Sequence, residues 1–232
     1  MQEIMGGGTV IVVKQGQSNI VSLSGFISSG KDTVADYLVE HHGFRRESFA
    51  GALKDVVAIV FGWDRELLEG KTPAARAQRD HVDKWWADKL NLPMLTPRWV
   101  LQQWGTEVCR RGFHTDIWVA SMENRMLKDG GNVVVTDCRF PNEVTVMQNM
   151  GATLLRVRRG PEPTWFNIGV AAADESHPHH AQALSHITDL GIHISEWAWL
   201  STKFDLILDN TGSLADFRQQ IKDQVSVDLA SI

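Results

Sequence analysis

The sequence predicts an α/β fold built on a parallel sheet, and three observations carry that expectation. Strand-like and helix-like segments alternate along most of the 232 residues, the pattern of parallel strands joined by helical crossovers. Residues 132–136, NVVVT, form a continuous β-branched run, the composition of a strand buried on both faces. Residues 25–31, GFISSGK, fit G-x-x-x-x-G-K directly after an apolar stretch and directly before a helical one.

The elements run in this order. The opening, MQEIMGGGTVIVVKQGQSN, has a glycine run at Gly6–Gly8, and its TVIVVK reads as a short extra strand, a hairpin partner for the next one. Residues 1–18 are therefore expected to be an N-terminal extension. NIVSLS, Asn19 to Ser24, reads as the first core strand. KDTVADYLVEHH repeats apolar residues at helical spacing, and Gly43 is its stop signal. FRRESFA is a second strand and GALKDVVAIVFG a helix. From Asp64 to Leu90 the chain is polar and helical, broken at Thr72-Pro73. Thr96-Pro97 sets a cap and a first-turn proline before RWVLQQWGTEVCRR. Thr115 opens DIWVASMENRMLK, which Gly130-Gly131 ends. After NVVVT come the helix PNEVTVMQNMG, the strands ATLLRVRR and FDLILD, and the last helix SLADFRQQIKDQV. The stretch between Gly160 and Lys203, with SHPHHAQALSH and EWAWL, lies between two core strands, as a lid or specificity region would.

The bulk numbers exclude some functions. The net charge is −5, with 23 Lys+Arg against 28 Asp+Glu, a poor balance for holding long nucleic acid by its backbone. Any anion site must come from local arginines, which cluster at 45–46, 110–111 and 156–159. No apolar run approaches the roughly 18 residues needed to span a bilayer. Cys109 and Cys138 stand apart, in no metal-ligand spacing and with no disulfide framework. The expectation is a cytoplasmic protein without a membrane partner.

The glycine-rich loop carries the most specific chemistry. Gly25 and Gly30 let the backbone turn its N–H groups onto phosphate oxygens, the next helix offers its positive end, and Lys31 adds a mobile charge. The residue after the lysine is usually Ser or Thr, whose hydroxyl meets Mg²⁺. Here it is Asp32, with Thr33 one place late. Asp32 could hold Mg²⁺ directly or through water, or it could serve only the helix N-terminus. Asp137 closes the NVVVT strand, where α/β sheets bind ligands, and Arg139 comes two residues later.

GFISSGKDTVADYL, FAGALKDVVAIVFG, LQQWGTEVCRRGF, DIWV, VTDCRFPNEV and DNTGSLADF appear in an order that resembles the deoxynucleoside monophosphate kinases of tailed bacteriophages. The resemblance runs from about Asn19 to Val225, and GKDT and D-x-R-x3-E are its most specific parts. It implies a P-loop kinase core, one domain over 19–232 with a helical substrate-binding insertion near 62–128 and a lid near 159–203. It implies transfer of the ATP γ-phosphate, with Mg²⁺, to a dNMP. Carried over residue by residue, the loop Gly25, Ser28, Ser29, Gly30, Lys31, Asp32 and Thr33 would hold the ATP phosphates, with Asp32 at the metal. Lys31, Asp137 and Arg139 would be catalytic. Lys54, Arg76, Arg98, Gln102, Asp137, Arg139 and Glu143 would meet the substrate. Arg158 and Arg159 would begin the lid, and Asn210, Thr211, Gly212 and Ser213 would flank adenine. A homodimer is compatible with the resemblance. The alternatives are another small-molecule kinase, such as one acting on dephospho-coenzyme A, or a nucleotide-gated switch without transfer. The N-terminal extension and the Trp- and His-rich segment depart from the family pattern.

Overall fold

The structure, a computed structural model, describes residues 11–14 and 18–228. The chain divides into two compact units. One comprises the described residues up to Ser48 together with those from Met126 onward; the other is Phe49–Arg125.

Among the described residues, the first unit holds a five-stranded, all-parallel sheet. Its strands are β2 (Ile20–Ser24), β3 (Arg45–Glu47), β4 (Val133–Val135), β5 (Thr153–Arg158) and β6 (Leu206–Asp209), in the spatial order β3-β4-β2-β5-β6. β2 lies at the centre. Its Val21 and Leu23 enter the main core with Val34, Leu38, Leu155 and Phe217, while Ser22 and Ser24, also buried, occupy the alternate positions. β4 is the predicted β-branched run, buried at all three positions. The helix α1 (Lys31–His42) buries Val34, Ala35 and Leu38 and ends at Gly43, whose left-handed backbone lets its N–H reach the Leu38 carbonyl.

The TVIVVK stretch corrects the hairpin expectation. Its described part, β1 (Ile11–Lys14), pairs in parallel with β7 (Val225–Asp228), distant in sequence, with Ile11 opposite Val225. Ile11 and Val13 are buried in the main core, so burial beside the last helix fixes the strand rather than a local turn. Residues 1–10 and 15–17 of the extension lie outside the described residues.

The second unit is helical: α2 (Gly51–Phe61), α3 (Arg65–Glu69), α4 (Pro73–Arg79), α5 (Lys84–Leu90), α6 (Pro97–Gln102) and most of α7 (Ile117–Asp129). Four of these starts carry a side-chain cap: Asp64 accepts from the Glu66 N–H, Thr72 from Ala75, Asp83 from Trp86 and Thr96 from Trp99. The expected single helix RWVLQQWGTEVCRR instead passes from α6 into a π-helical segment, Gln103–Arg111. Two contacts mark the change. Gly105 lets Leu53 approach to where a Cβ would meet it at 2.8 Å, and its carbonyl accepts the Trp118 indole N–H at 3.0 Å. Phe61 gathers Trp63, Trp86 and Trp104 around it, which places these tryptophans in packing.

Between β5 and β6 lie α9 (Phe166–Ala173), α10 (His180–Asp189) and α11 (Ile194–Trp197). They share a second apolar cluster, with Trp197, Trp199 and Leu200 buried, against which Phe26 and Phe140 pack. The two remaining helices are α8 (Pro141–Asn149) and α12 (Leu214–Gln224). No described helix is long and apolar enough to cross a membrane.

Candidate active site

β2 delivers the loop 25–30 to the carboxyl edge of the sheet, and β4, its neighbour, delivers Asp137 to the same edge. Three loop residues have positive φ: Gly25 at 152°, Ser28 at 62° and Gly30 at 112°. A Cβ on Gly25 would lie 2.4 Å from the Val157 carbonyl oxygen, so the loop leaves β2 pressed against β5. Asn210 clasps it from the other side, donating from Nδ2 to the Ser29 carbonyl at 2.9 Å. Ser24 Oγ ties the loop to the acidic strand end by donating to the Cys138 carbonyl at 3.0 Å.

Lys31 is folded back over this loop. Its Nζ donates to the Gly25 carbonyl at 2.7 Å and the Phe26 carbonyl at 2.8 Å. Burial, aided by the Arg139 charge, lowers the ammonium pKa to about 8, while Asp32, Glu196 and Asp137 pull it back up. Arg139 Nη1 donates to Glu196 Oε1 at 3.1 Å. Glu143, 2 % exposed, accepts from the Arg139 and Phe140 backbone N–H groups at 2.8 and 3.1 Å. It thereby closes the first turn of α8 and shapes the loop that carries Asp137 and Arg139. Burial pushes the Cys138 thiol up to about 12, so it stays protonated and inert.

A pocket of about 400 Å³ lies beside the loop, lined by Ser28, Gly30, Asp32, Thr33, Arg159, Asn210 and Gly212. It brings the predicted phosphate loop together with one of the two lid arginines and with the predicted adenine turn. Arg158 turns away and pairs with Asp209. Ser213 caps α12 in a reciprocal box with Asp216, and Thr211 is exposed.

The resemblance implies Mg²⁺, and the donor set fits a cation held by few protein oxygens. Asp137 stands at the strand end, and Ser29 Oγ is buried with no hydrogen-bond partner. Among the described residues no three or more His, Cys, Asp and Glu gather as a cage. The Asp32 carboxylate is 81 % exposed and accepts Arg46 Nη1 at 2.9 Å. Arg46 also donates to the Asp32 carbonyl and to Asp36, so it braces the start of α1 from β3.

Lys54, Arg76, Arg98 and Gln102 belong to the second unit. Lys54 Nζ donates to Glu69 at 2.9 Å, and Arg65 donates to the other Glu69 oxygen at 2.6 Å. Arg76 holds the Gly70 and Lys71 carbonyls, and Arg98 pairs with Asp80. Between them sits Arg79, with Nη1 on the Leu68 carbonyl at 3.1 Å and its Nε buried without a hydrogen-bond partner. Burial and the Arg98 charge lower its pKa. Gln102 is exposed at the end of α6. Sequence reasoning missed Arg79, for which the only signal was its spacing three after Arg76. It also missed Arg46 as the partner of Asp32, and Glu196, which no motif marks.

Glu69 gives a stability prediction. Although partial burial opposes it, Lys54 and Arg65 hold its pKa down to about 2 from 4.5. A carboxylate depressed in this way contributes stability above its ordinary pKa and loses it as the pH falls toward 2. Glu69→Gln should therefore cost on the order of 2 kcal/mol at pH 7, allowing for partial exposure. Urea unfolding at pH 7 and in acid checks this: the gap between mutant and wild type should close as the pH drops.

The family described as deoxynucleotide monophosphate kinase matches residues 69–221. A protein of Acanthamoeba polyphaga mimivirus carrying that enzyme name is 27% identical over 214 residues, covering 87% of this chain and 93% of its own. Deoxynucleoside-5'-monophosphate kinase of Escherichia phage T5 is 28% identical over 175 residues, with 54% and 70% covered. Deoxynucleotide monophosphate kinase of Enterobacteria phage T4 is 22% identical over 263 residues, with 90% and 99% covered. Among solved structures, dephospho-CoA kinase from Campylobacter jejuni is 17% identical, with 89% and 94% covered and a TM-score of 0.42, a likeness that bears on neither activity nor substrate.

Proposed function

The chain belongs to the deoxynucleotide monophosphate kinase family, and on that premise we propose that it transfers the γ-phosphoryl group of ATP to a deoxynucleoside monophosphate. The products are ADP and the deoxynucleoside diphosphate. The observation that carries this reading is the glycine-rich loop after β2, with Lys31 folded onto its Gly25 and Phe26 carbonyls, tied by Ser24 to the loop that carries Asp137 and Arg139 on the neighbouring strand.

The acceptor is a phosphate oxygen, already ionised and nucleophilic near pH 7. The P–O bond to it forms as the bond from Pγ to the bridging oxygen of ADP breaks. The work left to the protein is alignment and charge neutralisation. The backbone N–H groups of the loop, other than that of Ser29, which donates to the Phe26 carbonyl, cradle the donor phosphates, aided by the start of α1. Lys31 leaves its two loop carbonyls for the phosphoryl oxygens, and Arg139 spreads their charge. Asp137 orients the acceptor side, and Glu143 acts through the loop it shapes. Mg²⁺, held by Asp137 and through water by Asp32, would offset charge on the phosphates. Arg159 and the 210–213 turn flank the nucleoside of ATP. Lys54, Arg76, Arg98 and Gln102 are assigned to the dNMP, and the 159–203 region to a lid that keeps water out, with its α11 end staying seated against the loops.

The test is ADP release from Mg²⁺-ATP with a panel of dNMPs, NMPs and dephospho-coenzyme A. The expected result is release that depends on particular dNMPs. A flat panel with clear ATP binding would sink the reading, and release with dephospho-coenzyme A alone would replace it.

A further inference from the structure

The segment between β5 and β6 packs on the phosphate loop through Trp165 as well as Trp199, and two of its contacts with the catalytic loops lie close together in sequence. Glu196, in α11, accepts Arg139 Nη1 at 3.1 Å. Three residues on, Trp199 sets its ring edge-on against Phe26, with 5.1 Å between centroids. Phe26 lies in the phosphate loop, and its carbonyl is one of the two that hold Lys31. Phe26 and Phe140 both pack against the apolar cluster of this segment, one from each loop.

The segment is itself held from behind. A Cβ on Gly169 would fall 2.8 Å from Leu200 Cδ1 and 3.2 Å from Trp197 Cβ, so α9 seats directly on it. The Arg156 guanidinium lies 4.9 Å from the Phe166 ring centre and 5.5 Å from that of Trp199, and it pairs with Glu162. Trp197 to Leu200 are each less than 9 % exposed. A packed, near-dry base of this kind transmits position rather than absorbing it.

We propose that Glu196 is a positioning residue for phosphoryl transfer. Its ion pair sets the Arg139 guanidinium, and Trp199 sets the loop that carries Lys31, so one short rigid segment gauges the distance between the two cations. The inference rests on the transfer reading above. Arg139 and Lys31 repel each other, and an unpaired arginine side chain wanders among rotamers. Both pair members are about one-third exposed, so the bond restrains Arg139 without burying it. A misplacement of about 1 Å in such a group can cost a hundredfold in rate. Glu196 does not touch the reacting atoms, so its loss should fall on kcat rather than on ATP affinity.

The experiment is a double-mutant cycle read in kcat, KM for ATP and Tm. Glu196→Gln is expected to lower kcat about tenfold or more, with KM for ATP within about twofold and Tm unchanged. In an Arg139→Gln background the same substitution should change kcat less than about twofold, because the group it positions is gone. Glu196→Asp, which keeps the charge at shorter reach, should recover part of the rate. Unchanged kcat in Glu196→Gln, or an effect that adds in full to Arg139→Gln, would overturn the proposal. Should Glu196→Gln lower the Tm, Arg139→Lys reads the pair from the other side: a fall in kcat made no worse by Glu196→Asp supports it, and a full additive loss overturns it. A wild type without acceptor-dependent ADP release would instead overturn the function, whereas an active wild type beside an insensitive Glu196→Gln overturns only the positioning role.

Discussion

Lys31→Ala should lower kcat/KM for ATP by about a thousandfold, the scale on which one aimed cation or donor matters at a transferring group. The helix it opens should survive, because its buried face is made by Val34, Ala35 and Leu38. Circular dichroism should therefore be unchanged while ADP release is lost. Near-normal turnover would remove Lys31 from the mechanism. The wild type should also report the lysine through pH. Burial and the Arg139 charge bring its ammonium pKa to about 8. The protonated form is the one that attracts phosphate. It is complete well below pH 8 and is lost as the pH rises through that value. Accordingly kcat/KM for ATP, which reflects the free enzyme, should fall on the alkaline side in a one-proton step. Bound polyphosphate favours the charged form, so the corresponding limb of kcat should lie at higher pH. Lys31→Arg should remove the step, since a guanidinium stays charged throughout.

Gly25→Ala should be the most disruptive single methyl group in the first unit. The residue holds φ at 152°, which side chains rarely adopt. The new Cβ would meet the Val157 carbonyl oxygen at 2.4 Å and Ser29 Oγ at 2.8 Å. Val157 sits inside β5, where it pairs with Leu208 of β6, so its carbonyl cannot retreat without straining that ladder. The expected cost is about 3 kcal/mol or more, from strain and overpacking together. For a chain of this size that is a fall of roughly 10 °C in Tm. Gly43→Ala is the internal control. It also has positive φ, at 66°, but nothing lies within 4 Å of the added carbon. Its cost should be nearer about 1 kcal/mol. Equal Tm losses in the two variants would show that close approach at Gly25 does not matter.

The parts of this fold that were legible in the sequence are those governed by neighbours in sequence. The bounds of α1, the break at Thr72-Pro73, the cap at Thr96 and the buried run of β4 follow from local spacing and turn chemistry. So does the loop that Gly25 and Gly30 allow. The partner of β1 was not legible, because a strand of four residues says nothing about which distant strand it will join. The π-helical run was hidden because Gly105 and Trp118 act on it through contacts that periodicity does not report. In the site, Lys31, Asp137 and Arg139 stand out by motif. Their neighbours do not. Arg46 comes to Asp32 from another strand, and Glu196 comes to Arg139 from a segment rich in Trp and His, whose helices have weak signals. Glu143 illustrates the converse: its place in the motif suggested contact with substrate, while its carboxylate is engaged by two backbone N–H groups of its own loop.

The joining of β1 to β7 also bears on how the chain is made. On a ribosome β1 emerges before every other described element, and the strand it pairs with emerges after them all. Until Val225 is free, Ile11 and Val13 have an incomplete cover and β1 presents an open edge. The central strands can assemble while translation continues, but this seam closes only once β7 has left the exit tunnel. A chain stalled before residue 225 would carry a nearly finished sheet with an adhesive leading strand, a natural substrate for chaperones and a seed for association with its own kind.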